Sequence, residues 1–182
     1  MPDSSENLLR QASQARRENR PVDAKRDLEQ AVDICRKASD RAALAQALAA
    51  LGQIERDLHH SDIACRHYEE AVAIYRSEDD ALRLAHLIRH VGDIHRNEQR
   101  CPQAERCYRE ALDIYRNHNL TAPLDLANTI RGLAILKFDA DEAEEARALW
   151  QEAGTLYASV NVEAGVAESS RRLALLAEKQ GL

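Results

Sequence analysis

Hydrophobic and polar positions along this chain follow a helical spacing, and the helical pattern recurs about every forty residues. Residues 84–116 predict two amphipathic helices joined by a short turn. The apolar face of the first of these helices has a counterpart forty residues upstream. The matched sets are Leu44, Ala45, Leu48, Leu51, Gly52 and Ile54, and Leu84, Ala85, Ile88, Val91, Gly92 and Ile94. A period of this length is typical of stacked supersecondary units.

The second helix of each unit carries an alanine, an aromatic residue and another alanine on one face. The sets are Ala64, Tyr68 and Ala71; Ala104, Tyr108 and Ala111; and Ala146, Trp150 and Ala153. The last set follows its predecessor by 42 residues, because a longer connection, residues 117–123, precedes the fourth unit. We therefore predict four helix pairs, at about 4–38, 41–76, 81–116 and 124–158, and a lone helix at about 162–179.

Composition agrees with an all-α domain. The 182 residues include 45% hydrophobic and 31% charged residues but only six glycines and four prolines, and the abundant alanine, leucine, glutamate and arginine are good helix formers. A chain of this length can bury one continuous core, so we predict a single domain spanning residues 1–182. The lone last helix is expected to cap the stack with a polar outer face. Gly92 is expected to touch Ala111 where two helices cross closely.

The repeated residues resemble the tetratricopeptide repeat. The family's Leu-Gly pair and its Ala–aromatic–Ala pattern are matched by Leu51-Gly52 with the set around Tyr68, and by Val91-Gly92 with the set around Tyr108. The period of 40–42 residues exceeds the usual 34 or so. It is similar to the long-period subclass found in kinesin light chains and bacterial regulatory proteins. The resemblance implies an α-solenoid, a right-handed superhelix whose first helices line a peptide-binding groove.

The resemblance has one consistent departure. The aromatic residue that the family usually carries late in the first helix is replaced by Glu55, His95 and Lys137.

Charge and cysteine content narrow the class of protein. A formal net charge of −6 argues against a general nucleic-acid binder. The N-terminus has no apolar core of the kind a signal peptide needs, and no apolar run approaches the length of a membrane span. The cysteines form no CxxC pair, which favours reduced thiols; they are Cys35, Cys65, Cys101 and Cys107. We predict a cytoplasmic protein with no membrane partner.

Motifs for catalysis are missing from the sequence. It contains no glycine-rich phosphate loop, no HExxH and no nucleophile elbow, so we predict that the protein is not an enzyme and needs no cofactor. His86 and His90 have the spacing of a metal-binding pair on one helix, and an enzyme or metal protein using them is an alternative. His95 falls off their face, and groove-lining polar residues are the simpler interpretation.

The predicted groove is rich in arginine. Its expected residues are Arg56, His86, Arg89, His90, Asp93, Arg96, Asn128, Arg131, Ile135, Phe138, Arg171 and Leu175, and Gly132 is placed on the same face of its helix. Equivalent positions in successive repeats hold Arg89, Arg131 and Arg171, and arginine forks bind carboxylates bidentately. The alternative is a solvated face on which intrahelical partners such as Asp93 neutralise the arginines.

The sequence therefore predicts a non-enzymatic adaptor that binds an acidic, partly apolar peptide or protein tail. Arginine–carboxylate pairs and an apolar side chain inserted near Phe138 are the expected contacts. One alternative is a self-associating structural module whose terminal helices pack between chains, and another is an RNA-binding helical repeat. A monomer or weak homodimer is expected.

Overall fold

The structure is a computed structural model that describes residues 4–179. Within that range the chain forms nine α-helices and no β-strand. The helices are α1 (Ser5–Arg17), α2 (Pro21–Ala38), α3 (Arg41–Asp57), α4 (Ser61–Ser77), α5 (Ala81–Asn97), α6 (Cys101–Arg116), α7 (Pro123–Asp139), α8 (Ala143–Ser159) and α9 (Glu163–Lys179). The all-α prediction is confirmed, with four helix pairs and a last helix close to their predicted limits.

Helix starts carry conventional signals. Asp40 and Asp80 accept hydrogen bonds from backbone N–H groups three residues further on, at 3.0 and 3.1 Å. Pro21 and Pro123 are the first residues of α2 and α7, where a missing N–H costs nothing.

Seven helices of the described range, all but α6 and the last, end at a left-handed residue that is not glycine. In the part of the chain described, seven non-glycine residues have a φ near +60°; they are Asn19, Ser39, His59, Asp79, Gln99, Asp141 and Asn161. The residue after each one closes the helix; the N–H of Arg100, for example, bonds the carbonyl of His95 at 2.8 Å. Glycine is the usual residue at this position, because other residues pay a steric cost there.

Gln99→Gly is expected to raise the free energy of unfolding by about 0.5–1 kcal/mol, because glycine adopts the left-handed conformation without that cost. Urea denaturation measures the change. Gln151→Gly, on an exposed position inside α8, is the matched control, and it should lower the free energy of unfolding by about 1 kcal/mol. A loss of stability with both variants would contradict the expectation.

The described chain packs as two compact units that divide inside α5, between Leu87 and Ile88. In the first unit α1 to α4 pack in sequence order, and in the second α6 to α9 do the same. Each unit buries the predicted apolar faces, with Tyr68 in the core of the first and Tyr108 and Trp150 in that of the second. The single-domain organisation stays a prediction.

Two glycines of the second unit pack against the ring of Tyr108. A Cβ placed on Gly92 would lie 3.1 Å from the Cβ of Cys107 and 3.1 Å from the ring of Tyr108, so these neighbours are nearer than Ala111. Gly132 is buried and faces the same ring from the following repeat. The prediction that Gly132 lies on the groove face is therefore wrong, because its missing side chain makes room for Tyr108.

Candidate functional site

All but two of the predicted groove residues belong to the second unit. Arg56 and His86 lie in the first, where Arg56 donates a hydrogen bond to the side chain of Gln53 at 2.9 Å. The candidate site is formed by residues of the second unit alone.

The C-terminal half of α5 contributes a network centred on Asp93. Its carboxylate accepts hydrogen bonds from Arg89 and from the hydroxyl of Tyr108, both at 2.8 Å. Arg96 also approaches Asp93, at 4.0 Å. Arg89 is thus held by a carboxylate of its own helix.

His90 is buried rather than exposed on the groove, with 7% of its surface accessible. Its Nε2 lies 2.8 Å from the guanidinium of Arg89, which can only donate. That ring nitrogen is therefore occupied as an acceptor, which weakens the interpretation of His86 and His90 as a metal-binding pair.

Residues of α7, α8 and α9 continue the same polar surface. Arg131 donates two hydrogen bonds to Glu168, from Nε at 2.6 Å and from a terminal nitrogen at 2.9 Å. The hydroxyl of Tyr157 donates to Asn128 at 2.9 Å. We call the set Arg89, Asp93, Asn128, Arg131 and Glu168 the polar wall.

Electrostatic effects show that the polar wall is one neighbourhood. Burial raises the pKa of Tyr157, and the charges of Arg131, Glu168, Arg89 and Asp93 all act on its hydroxyl. Hydrogen bonding to Glu168 raises the pKa of Arg131, on which Asp93 also acts. Burial likewise raises the pKa of Tyr108. Both tyrosines are therefore neutral hydrogen-bond donors at neutral pH.

The arginines at equivalent positions of successive repeats, Arg89, Arg131 and Arg171, are not all available to a ligand. Arg89 and Arg131 are each paired with a carboxylate of the chain. Arg89 therefore matches the alternative interpretation, in which Asp93 of its own helix neutralises it, and Arg131 is neutralised by a carboxylate of another helix. Arg171 differs from them, since it is exposed and no described residue hydrogen-bonds or ion-pairs with it.

Arg172 also has no carboxylate partner among the described residues. Its guanidinium lies 4.9 Å from the ring centre of Phe138 and 5.9 Å from that of Trp150, within the range of cation–π contacts. The ammonium of Lys179 lies 5.1 Å from the ring centre of Phe138. Phe138 therefore contacts cations and offers less open apolar surface than predicted.

The apolar surface at this end comes from Leu175, which is 45% exposed. Leu175 lines a hollow of about 230 Å³ together with Glu168, Arg171 and Arg172. Ile135 is half-buried and packs against the core. Cationic and apolar groups thus meet on α9.

Buried ion clusters occupy two of the three positions where the family usually has an aromatic residue, those of Glu55 and Lys137, and sequence reasoning missed them. Glu55 is 1% exposed and contacts the ammonium of Lys25 at 2.8 Å and Nδ1 of His60 at 2.7 Å. Burial acts to raise the pKa of Glu55, but the hydrogen bonds from Lys25 and His60 lower it below its ordinary value.

Lys137 makes the charge-inverted version of this cluster in the second unit. It is 4% exposed, and its ammonium contacts Glu105 and Glu142 at 2.9 Å and Glu145 at 3.4 Å. Burial acts to lower the pKa of Lys137, but the carboxylates, Glu105 foremost, raise it above its ordinary value. In the sequence, the cluster was indicated by the charged residue itself, because it stands at a position where stacked helices usually bury an aromatic ring.

The second helices carry a different set of ion pairs. Arg36 contacts Glu70 at 2.8 Å in the first unit, and Arg116 contacts Glu152 at 2.8 Å in the second, each joining second helices of successive repeats. These pairs are about half exposed, so each adds little to stability.

A family model decides the relationship of the chain to known proteins. The model of the soluble NSF attachment protein, SNAP, matches residues 1–123, which is more than half of the chain. The chain belongs to the SNAP family. Comparison with curated protein sequences finds no match.

Solved structures similar to this SNAP-family chain share its fold at low identity. They include BtubC from P. vanneervenii (22% identity, TM-score 0.79, 86% of this chain and 64% of that one). A putative kinesin light chain from Podosopora anserina with nearly identical TPR-like repeats is 15% identical (TM-score 0.75, 100% and 90%). A Rap protein complexed with competence and sporulation factor is 17% identical (TM-score 0.77, 91% and 45%).

These likenesses confirm the tetratricopeptide-type helical-repeat fold. The chain spans 64% of BtubC and 45% of the Rap protein, so it corresponds to part of each. Between residues 4 and 179, none of its helices is long and apolar enough to cross a membrane.

Proposed function

We propose that this SNAP-family chain is a non-enzymatic, cytoplasmic protein-interaction adaptor. Its second unit binds an acidic, partly apolar peptide segment at the α9 end of the polar wall. One observation carries the proposal: Arg171 and Arg172 have no carboxylate partner among the described residues and line the same hollow as the exposed Leu175. Elsewhere on the wall, the carboxylates of the chain already pair with its arginines.

Binding would use two kinds of contact. A glutamate or aspartate of the peptide pairs with the exposed guanidinium of Arg171, whose planar fork matches a carboxylate. An apolar side chain two or more residues along the peptide packs on Leu175. Asn128 offers a side-chain amide to the peptide backbone, in addition to its bond with Tyr157.

The names of related proteins agree with an adaptor. The family name describes attachment to NSF, a protein partner. The Rap structure was solved with competence and sporulation factor bound. For this chain we propose a protein or peptide partner of the stated chemistry, and a monomeric protein or weak homodimer.

Charge reversal at α9 tests the proposal. A fluorescein-labelled decapeptide of alternating glutamate and leucine should bind the wild-type protein at low salt, as read by fluorescence polarisation, and binding should weaken as salt rises. Arg171→Glu/Arg172→Glu should lower the affinity at least tenfold, because two attractive charges become repulsive. A peptide with glutamine in place of glutamate should bind more weakly than the acidic one.

The matched control is Arg66→Glu/Arg106→Glu. Both arginines are exposed on second helices, and the variant makes the same change in net charge. It should keep nearly the wild-type affinity. Equal losses in the two double variants would show that the peptide senses only net charge, and the proposed site would be rejected. Tight binding of a single-stranded RNA oligomer in place of the peptide would favour the RNA-binding alternative.

A further inference from the structure

Glu168 is a carboxylate placed among arginines. Arg131 holds both of its oxygens, at 2.6 and 2.9 Å. Glu168 also lines the hollow formed with Arg171, Arg172 and Leu175. The side chain of Glu168 is 20% exposed, and that of Arg131 is 37% exposed, so the pair borders the proposed peptide site instead of lying beneath it.

The geometry of this pair is the geometry expected for a bound ligand carboxylate. Two parallel N–H···O bonds from one guanidinium are the arrangement by which arginine recognises acidic side chains. The two partners come from different first helices, α7 and α9, and lie 37 residues apart in the chain. Glu168 thus meets Arg131 across the wall, as the side chain of a bound peptide would.

We propose that Glu168 is an internal competitor for the carboxylates of the partner. The proposal rests on the peptide-binding function argued above and adds regulation to it. In the free protein Glu168 occupies Arg131 and places a negative charge beside Arg171 and Arg172. A peptide with one acidic residue pairs with Arg171 against the repulsion of Glu168. A peptide with two acidic residues also displaces Glu168 from Arg131, exchanging one bidentate pair for another.

Two consequences follow for specificity. The exchange at Arg131 replaces like with like, so in the wild-type protein a second carboxylate on the peptide adds little affinity. The charge of Glu168 weakens the binding of any acidic segment, because unit charges a few ångströms apart at a protein surface interact by an amount worth several-fold in affinity. Glu168 therefore suppresses the affinity that a second acidic residue of the partner would gain from Arg131.

Removing only the charge of Glu168 tests the proposal. With the same glutamate–leucine decapeptide, Glu168→Gln should raise the affinity roughly fivefold to tenfold. Glu152→Gln is the matched control, since both carboxylate oxygens of Glu152 also accept from an arginine, here from one terminal nitrogen of Arg116 at 2.8 and 3.0 Å, but on the second helices. Its affinity should stay within roughly twofold of wild type. Adding Arg131→Gln to Glu168→Gln should remove most of the gain.

A second measurement needs no substitution. The side-chain Nε–H signal of Arg131 in an NMR spectrum of the wild-type protein should shift when the peptide is added, because its carboxylate partner changes. The peptide could bind through Arg171 and Arg172 while Glu168→Gln keeps the wild-type affinity and the Arg131 signal does not shift. That result would reject the role of Glu168 as a competitor but would support the proposed adaptor function. If no variant binds the peptide, both proposals fail.

Discussion

Lys137→Ala is expected to lower the free energy of unfolding by about 2–3 kcal/mol, measured by urea denaturation at neutral pH. Removing one partner of a fully buried ion pair costs about 3–5 kcal/mol, and removing one from an exposed pair costs about 0–1 kcal/mol. Lys137 itself is buried, but its carboxylate partners are 31–49% exposed and regain some hydration. Arg109 also remains beside Glu105 and Glu145, which places the cost between the two limits.

The same variant should show a characteristic dependence on pH. Hydrogen bonding to Lys137 lowers the pKa of Glu105 below its ordinary value. A carboxyl group whose pKa is depressed by folding stabilises the fold above its unfolded pKa and loses that contribution as the pH falls through the folded value. The difference in the free energy of unfolding between wild type and Lys137→Ala should therefore be largest at neutral pH. It should become smaller in the acidic range below the ordinary pKa of glutamate.

Lys179→Ala is the control for the loss of a lysine. Its partner Asp141 lies 3.0 Å away and is 80% exposed, so the variant should cost less than about 1 kcal/mol at any pH. Equal stability losses from Lys137→Ala and Lys179→Ala would mean that the Lys137 cluster is as weak as a surface pair. A gap that does not change with pH would mean that the cost comes from lost packing of the lysine stem.

The fold could be predicted from the sequence because the same hydrophobic pattern recurs in each repeat. Each first helix carries the same apolar stripe, and each second helix carries the same alanine–aromatic–alanine face. A departure from the pattern in one repeat therefore does not hide the pattern in the others. The two-residue shift before the fourth repeat was visible as the connection at residues 117–123. No glycine marks the ends of these helices in the sequence. The helix boundaries were therefore predicted from periodicity and from capping residues such as Asp40.

The site was predictable only in part. Periodicity placed Arg89, Arg131 and Arg171 at equivalent positions, but it carries no information on which carboxylate lies within reach. Arg131 meets Glu168 from a helix 37 residues away, and only the packing of α7, α8 and α9 brings the two together. One partner of Lys137 is hidden for the same reason, since Glu105 belongs to the preceding repeat.

Glycine positions show a second limit of sequence reasoning. Gly52 and Gly92 recur in the repeat pattern and signal close packing, and both face tyrosine rings. Gly132 stands outside that pattern, on a face assigned to the groove. Its role becomes visible only when Tyr108 of the preceding repeat is in place.

Gly132→Ala is expected to lower the free energy of unfolding by about 1–3 kcal/mol, although alanine forms helices better than glycine. The new Cβ would lie 2.5 and 2.6 Å from two ring carbons of Tyr108, distances that real side chains do not tolerate. Tyr108 has no exposed surface, so its ring moves only by disturbing the core. Its hydroxyl would also leave Asp93, which it now bonds at 2.8 Å.

Gly154→Ala separates this overpacking from helix propensity. The Cβ added there would meet only the Cβ of Ser169 at 3.1 Å and its hydroxyl oxygen at 3.5 Å, contacts that small shifts relieve. The gain in helix propensity, about 1 kcal/mol, should then leave that variant as stable as wild type or slightly more so. Urea denaturation of the two variants gives the comparison directly. If Gly132→Ala were as stable as Gly154→Ala, the ring of Tyr108 would have room to move, and the close packing between α6 and α7 would not be what fixes Asp93 and Arg89 in the polar wall.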